Sequence, residues 1–395
     1  MEPLLPETGR GELAELSAEI FKKSGELATS LPSKTVRHEV AKVVCEMNSY
    51  YSNLIEGHKT LPRDIERALS EDFSIQQDVQ RNQRLSVAHI KTERAMRARL
   101  AKDPETDVFA PEFICWLHRE FYSFIPEEEW FTTSNAGMRH PLEPGKMRNH
   151  NVDVGRHSPP DHPVLDRFME RFQSFYSSGG ILATDKVIAL ASAHHRLAWI
   201  HPFGDGNGRV ARLQSQAAMI RAGLDADGLW TLSRGLARAK PAYYNHLQAA
   251  DRNRANDYDG RGNLSDKALF EFCRFFLQRM LDQINFMAGL IEPFKLQDRI
   301  ETYLRFTRTD LDGKLREKLV RLLKALALQG DIPRGAIPEI LGLKGTATRD
   351  VIRKAMEEGL VRSTGEKTPL KIAFPSKVVE FYFPLLFADL PVDRE

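Results

Sequence analysis

The sequence predicts a mainly α-helical protein with a C-terminal winged helix-turn-helix domain. Apolar residues recur at three- and four-residue steps through the first hundred residues and again beyond residue 295, which is typical of amphipathic helices. The 395 residues exceed the usual length of a single domain. We therefore predict an N-terminal helical region over residues 1–105, a helical core with a small β-hairpin over residues 106–292, and the winged helix over residues 293–395.

The near-neutral charge excludes a general electrostatic attraction of the whole chain to polyanions such as nucleic acids. Lys and Arg total 56 and Asp and Glu total 54, so the formal net charge is +2 at pH 7 and a polyanion must be bound locally. The three cysteines are far apart, which is typical of a reducing compartment rather than of a zinc ribbon or a disulfide framework. No apolar run approaches the ~20 residues of a membrane span. Since the start also lacks a signal-peptide pattern, we expect a cytoplasmic protein without a membrane partner.

Four helices are predicted in the N-terminal region. The first is Glu12–Ala28, and the second follows Pro32 and ends at Gly57, a residue suited to the position after a helix. A third begins near Pro62, and a charged helix with a narrow apolar stripe spans Gln76–Lys102.

The regular pattern stops over Phe131–Pro163, where Gly, Pro and Asn crowd a segment too long for a simple connection. Within it, Met147–Val154 alternates enough to predict a short strand or one arm of a hairpin. The following helix, Asp185–Ile200, is apolar on nearly all sides and is expected at the centre of the core. Because His194 and His195 point in different directions from that helix, we expect core residues there rather than metal ligands.

One segment, directly after the buried helix, carries most of the chemistry. It reads His201-Pro202-Phe203-Gly204-Asp205-Gly206-Asn207-Gly208-Arg209-Val210-Ala211-Arg212. The glycines on either side of Asn207 allow a tight turn and a close approach of the backbone to a ligand, and an apolar helical pattern begins behind them. The free N–H groups and the positive dipole end of that helix favour a phosphate.

Four side chains around this turn predict transfer of a phosphoryl or nucleotidyl group. Arg209 and Arg212 lie three residues apart on the first helical turn and add fixed positive charge. Asp205 precedes the turn and offers a carboxylate for Mg²⁺ that is shared with phosphate oxygens. His201 is the nearby group that accepts a proton near neutral pH, so the nucleophile is expected to be a hydroxyl.

The segment matches every specified position of H-x-F-x-[D/E]-G-N-G-R-x-x-R, and the chain thereby resembles the Fic family. The resemblance implies a Fic-type helical core that transfers AMP from ATP, with Mg²⁺, to a Ser, Thr or Tyr hydroxyl of a protein. It implies that His201 is the general base, that Asp205 holds Mg²⁺ and that Phe203 anchors the loop. The phosphate-binding residues that it implies are Gly206, Asn207, Gly208, Arg209 and Arg212.

Ser52-Asn53-Leu54-Ile55-Glu56-Gly57 resembles the inhibitory motif of the same family, [S/T]-x-x-x-E-[G/N]. Ser52 and Glu56 lie one helical turn apart at the end of an amphipathic helix. If that helix packs beside the loop, we expect Glu56 to form a bidentate ion pair with Arg212 and to keep it from the γ-phosphate. The resemblance therefore implies an enzyme that is inhibited by a motif in its own chain.

Two further segments resemble parts of the family. The flap that aligns a target by strand addition corresponds to Arg148–Val154. Its candidate contacts are Asn151, Val152 and Val154. Tyr243 and Tyr244 resemble the segment that closes over adenine, and for each ring a base contact and core packing both stay open. Asp251 stands where many members have Asn, so a base or ribose contact at that position is also open.

Three helices and a hairpin predict the C-terminal winged helix. The helices are Leu315–Leu328, Ala336–Leu341 and Thr348–Glu358, and the hairpin arms are Leu360–Ser363 and Leu370–Phe374. Basic residues on the third helix suit contacts with DNA phosphates. Acidic residues on the same helix are equally consistent with a solvated face or a protein-docking surface.

Other functions are compatible with the same residues. The site could remove AMP, with Glu56 positioning a water, or transfer another phosphate-linked group. In a different class, the winged helix is the functional end of a DNA-binding regulator whose Fic core senses a nucleotide. The expected partners are ATP, a protein with a modifiable hydroxyl (including this protein itself) and, for the regulator, DNA. A homodimer is compatible with each of these functions.

Overall fold

The computed structural model describes the chain except for residues 134–136, 138, 156, 179–180, 182 and 388–395. The described part is mainly helical, as predicted, and its strands form two hairpins of two strands each. Among the described residues, no helix is both long enough and apolar enough to cross a membrane.

The N-terminal region contains four helices in the predicted places. They are α1 (Arg10–Thr29), α2 (Lys34–Ile55), α3 (Pro62–Leu69) and α4 (Gln77–Lys102). The hydroxyl of Ser33 caps α2 by accepting a hydrogen bond from the N–H of Val36 over 3.4 Å. Gly57, just beyond the end of α2, has a φ of 90°, a backbone conformation that glycine adopts without strain.

The central part of the chain contains seven helices and one hairpin among the residues described. They are α5 (Pro111–Tyr122), β1 (Phe131–Thr133), β2 (Arg139–Pro141), α6 (Leu165–Tyr176), α7 (Ala183–Ile200), α8 (Asn207–Arg221), α9 (Leu232–Arg238), α10 (Lys240–Ala250) and α11 (Asp266–Leu290). Short 3-10 turns lie at Glu127–Glu129, His162–Val164 and Ala226–Gly228.

Helix α7 lies at the centre of this part, as its apolar sequence predicted. It packs against α1, α6, α8 and α11. Its buried apolar residues include Val187, Ile188, Leu190, Ala191, Ala193, Leu197 and Ile200. Helix α2 packs against α4 and α9 and reaches α8, so its last turn lies beside the start of α8.

The hairpin of the irregular segment lies elsewhere than predicted. It is formed by β1 and β2, whereas Met147–Val154 forms no strand and makes a single bridge, between Val154 and His157. The prediction of a strand there is wrong because the side chain of Arg148 turns inward. Its buried guanidinium donates hydrogen bonds to the backbone carbonyls of His201 and His150, both over 2.9 Å, which holds the segment in an irregular conformation.

The C-terminal part contains three helices and a hairpin in the predicted order, between two further helices. The elements are α12 (Pro293–Thr302), a π-helical turn (Tyr303–Thr307), α13 (Gly313–Gln329), a 3-10 turn (Arg334–Ala336), α14 (Ile337–Leu341), α15 (Thr346–Glu357), β3 (Val361–Arg362), β4 (Lys371–Ile372) and α16 (Ser376–Tyr382). This part packs against the N-terminal half of α2, where Thr35 donates a hydrogen bond to Asp331 over 2.8 Å. The winged helix-turn-helix assignment and the division into three domains stay predictions.

Candidate active site

The loop between α7 and α8 leaves the buried helix through an unusual backbone conformation. His201 has a φ of 51°, in the left-handed region that residues other than glycine rarely adopt. Gly206, with a φ of 82°, precedes the first turn of α8. The two positions turn the chain sharply, so that the imidazole of His201 and the N-terminus of α8 lie on the same cavity.

Asn207 braces the loop with its side chain. Its Oδ1 accepts a hydrogen bond from the N–H of Phe203 over 2.9 Å, and its Nδ2 donates to the carbonyl of the same residue over 2.8 Å. The ring of Phe203 is fully buried and stacks on His118, with 4.0 Å between the centroids. The side-chain amide of Asn207 is therefore used to hold the loop. A ligand at the start of α8 would meet the backbone of Asn207 instead.

Three residues, for which the sequence analysis predicted no contact with the loop, hydrogen-bond to it from other segments. The N–H of Arg148 donates to the carbonyl of Pro202 over 2.8 Å, in addition to the guanidinium bond to His201. His118 accepts a hydrogen bond from the N–H of Gly145 at Nδ1, so its Nε2–H donates to the carbonyl of Asp205 over 3.2 Å. Tyr122 donates its hydroxyl to the Asp205 carboxylate over 2.5 Å.

The imidazole of His201 is partly buried at the cavity wall. Burial lowers its pKa to about 4, although a hydrogen bond with the backbone of Ala198 acts in the opposite direction. His201 is therefore neutral at physiological pH, with a ring nitrogen that can accept a proton.

The cavity beside His201 has a volume of about 420 Å³. It brings together predicted residues from the loop, α2, α8 and α10. Its lining includes Glu56, Val154, Gly155, His157, Ala198, Trp199, His201, Asn207, Gly208, Ala211, Arg212, Tyr243, Tyr244, Asn245, Leu247, Gln248 and Asp251. The predicted residues Ser52, Asn151, Val152, Asp205, Gly206 and Arg209 lie outside this lining.

Asp205 and Arg209 form an ion pair at the start of α8. The guanidinium of Arg209 donates to Oδ2 of Asp205 over 2.9 Å, the oxygen that also accepts from Tyr122. Partial desolvation raises the pKa of Asp205, but the Arg209 charge and the Tyr122 hydrogen bond lower it to about 2. Asp205 is therefore ionised at neutral pH, and its side chain is 51% exposed. The buried Nε of Arg209 has no hydrogen-bond partner among the described residues.

Arg212 is held by the last turn of α2. Its Nε donates to the hydroxyl of Ser52 over 2.9 Å, and one of its terminal nitrogens donates to the carbonyl of Ser52 over 2.9 Å and to Oε1 of Glu56 over 2.6 Å. The expectation of a bidentate pair with Glu56 is therefore wrong, because Ser52 occupies the Nε–Nη2 edge of the guanidinium and Glu56 accepts from Nη2 alone. Helix α2 and Arg212 are nevertheless joined by three hydrogen bonds.

The carboxylate of Glu56 also lies directly over the first turn of α8. A Cβ atom added to Gly208 would be 2.3 Å from Oε1 of Glu56 and 3.1 Å from Arg212. Burial raises the pKa of Glu56, but the charges of Arg212 and Arg209 lower it further than burial raises it. An ionised carboxylate thus occupies the position that the helix N-terminus offers to an anion.

The aromatic and acidic residues at the far end of the cavity differ in burial. Tyr243 is buried, with its hydroxyl 2.7 Å from Nε2 of His194, whereas Tyr244 is 41% exposed and donates its hydroxyl to the carbonyl of Ile55 over 3.2 Å. Asp251 lies 3.1 Å from Nε2 of His195. His194 and His195 are fully buried, as expected for core residues. Among the described residues, no group of three or more His, Cys, Asp or Glu is arranged to hold a metal.

The predicted flap residues lie along the irregular segment. Val154 is 38% exposed at the rim of the cavity. Asn151 is exposed and donates a hydrogen bond to Asp161 over 2.7 Å, which ties the segment to the start of α6. Val152 lies between them.

The helical core and this loop define a protein that contains a Fic domain, and residues 108–218 match the model of the Fic/DOC family. This part of the chain is therefore similar to that family. The chain is 40% identical over 87 residues to "Protein adenylyltransferase Fic" of Nematostella vectensis, covering 22% of this chain and 20% of the relative. It is 37% identical over 111 residues to the protein of the same name from Aedes aegypti, covering 28% of this chain and 21% of the relative.

The sequence similarity to these curated relatives covers 22% and 28% of this chain, and the chain spans about a fifth of their length. The similarity in fold extends further. A crystal structure of a Fic family protein from Desulfovibrio desulfuricans G20 matches with a TM-score of 0.56 and 16% identity, covering 94% of this chain and 98% of that chain. At this identity the match establishes the shared fold.

Proposed function

We propose that this protein transfers AMP from ATP to a hydroxyl of a protein substrate. The observation that carries the proposal is a single cavity that combines a neutral histidine, the N-terminus of a helix and a buried arginine. The names of the relatives, which match over the central part, support the same reaction.

In the proposed reaction, the phosphates of ATP bind at the first turn of α8. The backbone N–H groups of Gly206, Asn207 and Gly208 and the guanidinium groups of Arg209 and Arg212 would hold the negative charge. The partnerless, buried Nε of Arg209 is one donor that a phosphate oxygen would satisfy. The tyrosines Tyr243 and Tyr244, together with Asp251, would surround the nucleoside at the other end of the cavity.

His201 would act as the general base. Its neutral imidazole accepts the proton of the substrate hydroxyl while the hydroxyl oxygen forms a bond to the α-phosphorus. The bond from that phosphorus to the bridging oxygen breaks, and pyrophosphate leaves. Val154, at the rim beside Gly155, lies where a substrate segment would enter the cavity.

Asp205 fits a Mg²⁺ ion that arrives with the phosphates. It is an ionised, half-exposed carboxylate, which suits a cation that prefers one or two carboxylates plus phosphate oxygens. When bound, Mg²⁺ would neutralise phosphate charge. Tyr122 and Arg209 orient this carboxylate through the same oxygen, Oδ2.

Glu56 would restrain the reaction. Its carboxylate covers Gly208 and engages Arg212, so a phosphate must displace it in order to bind at the same place. Because Ser52 holds Arg212 as well, the last turn of α2 competes with the nucleotide through two residues.

The direct test is the intact mass of the full chain after incubation with Mg·ATP. The Glu56→Gly variant should gain one or more adenylate-sized increments, and the wild type should gain far less. The double variant Glu56→Gly, His201→Ala should gain none, whereas Glu56→Gly, His246→Ala should behave like the single variant, because His246 packs on Phe275 outside the cavity. Equal labelling of the His201 double variant and the single variant would refute the assigned base.

A further inference from the structure

Helices α2 and α8 run side by side in opposite directions, joined by contacts at three successive turns. Glu56 lies at Gly208, Ser52 binds Arg212, and Asn48 binds Gln216. The residue numbers fall by four on α2 as they rise by four on α8, so each contact follows the previous one by one helical turn. The first two belong to the proposed inhibition, and the third lies outside the cavity.

The third contact includes a buried carboxylate of α4. Asn48 Nδ2 donates to Oε2 of Glu93 over 2.7 Å and to Oε1 of Gln216 over 2.9 Å. Gln216 Nε2 donates to Oε1 of Glu93 over 2.7 Å. Asn48, Glu93 and Gln216 are 3%, 1% and 5% exposed, so the three side chains form a closed polar cluster inside the protein.

Neighbouring groups complete the hydrogen bonding of this cluster. Thr231 donates its hydroxyl to Oδ1 of Asn48 over 2.5 Å, and Arg97 donates from Nε to Oε1 of Glu93 over 3.1 Å. Arg97 is itself paired with Asp225 over 2.6 Å. The negative charge of Glu93 is thus balanced by Arg97, and its carboxylate oxygens are hydrogen-bonded, as a buried charge requires.

A cluster of this kind tolerates one register of α2 against α8. A shift by one residue moves a helix by about 1.5 Å along its axis and rotates its side chains by about 100°. Such a shift would leave the amides of Asn48 and Gln216 and the carboxylate of Glu93 without partners in the protein interior, which is strongly disfavoured. Apolar contacts alone are less selective, because neighbouring registers bury similar areas.

We propose that Asn48, Glu93 and Gln216 set the register of α2 on α8 and thereby place Glu56 over Gly208. None of the three lines the cavity, so they are positioning residues rather than ligand contacts. The inference rests on the proposed function, since it concerns the strength of inhibition by Glu56. It adds residues outside the inhibitory motif, about two helical turns away from Glu56.

The experiment compares the full-length variants Asn48→Leu and Thr92→Val in two backgrounds, with Glu56 present and with Glu56→Gly. Thr92 is a matched control, because it is fully buried on α4 beside Glu93 and its hydroxyl bonds within that helix, to the carbonyl of Ala88. With Glu56 present, Asn48→Leu should raise the initial rate of self-labelling from Mg·ATP at least about fivefold, and in the Glu56→Gly background it should change the rate less than about twofold. Thr92→Val should leave both rates within that limit.

Equal fold-changes of Asn48→Leu in the two backgrounds would overturn the proposal, because a general packing defect acts with or without Glu56. An unchanged rate in the folded variant with Glu56 present would also overturn it. If Asn48→Leu does not fold, Asn48→Ser removes the same amide with a smaller change in volume and is judged by the same outcomes.

Hydrogen exchange separates this proposal from the proposed function. Asn48→Leu should speed exchange of the backbone amides of Ser52–Glu56 relative to Thr92→Val, whether or not the protein labels itself. If Glu56→Gly shows no labelling but exchange is faster, the activity proposal fails and the register proposal stands. If exchange at Ser52–Glu56 is the same in both variants, the register proposal fails.

Discussion

The carboxylate of Glu56 and the guanidinium of Arg212 meet over 2.6 Å across the packed helices α2 and α8. The arginine is buried, whereas the Glu56 side chain retains 28% of its exposure and faces the cavity. A pair of this kind is reached by solvent from one side only, so a ligand that enters the cavity can displace Glu56 without unpacking α2. Displacement of Glu56 therefore requires a side-chain movement and no separation of helices.

The charge of Glu56, rather than its size, should carry most of the inhibition. Glu56→Gln keeps the volume and one acceptor oxygen but removes the negative charge that faces Arg212 and Arg209. We expect its initial rate of self-labelling to lie above that of the wild type and below that of Glu56→Gly. A rate equal to the wild-type rate would show that steric occupation is sufficient and that the charge is unnecessary.

The first turn of α8 should not accept a side chain larger than glycine at position 208. The added Cβ of Gly208→Ala would lie 2.3 Å from the present position of a Glu56 oxygen, which is where we place a phosphate oxygen. In the Glu56→Gly background, Gly208→Ala should therefore reduce labelling at least about tenfold, or about 1.4 kcal/mol in the transition state. Gly11→Ala is the matched control, because nothing lies within 4 Å of its new Cβ on α1, and it should label normally.

The positions of the site's reactive groups could be predicted from the sequence more fully than their supports. The loop from His201 to Arg212 and the turn from Ser52 to Glu56 are local patterns, in which spacing along one helix fixes which residues share a face. The way in which Ser52 and Glu56 share the hydrogen bonds of Arg212 depends on how two helices pack against each other, and no local pattern specifies that packing.

The supports of the loop act through backbone carbonyls that are distant in sequence. Arg148 binds the carbonyl of His201 from 53 positions away, and His118 binds that of Asp205 from 87 positions away. Every residue has a backbone carbonyl, so the sequence does not show which carbonyl a distant side chain will bind, and neither pairing could be predicted. The alternation of Met147–Val154 indicated a strand. That prediction was wrong because nothing in the segment revealed that Arg148 is buried and bound to distant carbonyls.

The pH dependence of labelling should follow the depressed pKa of His201. Burial lowers that pKa to about 4, so the imidazole is already neutral at pH 6 and becomes protonated only as the pH falls through about 4. Titration of His201 should therefore change the initial rate of the Glu56→Gly variant little between pH 6 and 8, and the rate should decline as the pH falls toward 4. Circular dichroism at each pH confirms that the protein stays folded. A rate that halves near pH 6.5 would contradict a base in this environment.

Arg148 should be essential for the loop and for stability, although it does not line the cavity. Its guanidinium donates hydrogen bonds to the carbonyls of His201, His150 and Pro160. Arg148→Met keeps most of the side-chain volume but leaves these partly buried carbonyls without their donor, which should lower the free energy of unfolding by about 2–4 kcal/mol. Urea denaturation measures this loss.

The matched control for this change is Arg167→Met, since Arg167 is exposed at the start of α6. Its free energy of unfolding should stay within about 0.5 kcal/mol of the wild type. In the Glu56→Gly background, Arg148→Met should also label more slowly than Arg167→Met, at a temperature where both are folded. The reason is that the backbone of His201, in its left-handed conformation, depends on the hydrogen bond from Arg148. If Arg148→Met lowered stability but labelled as fast as the control, the loop would hold its shape without Arg148, and the brace would serve folding alone.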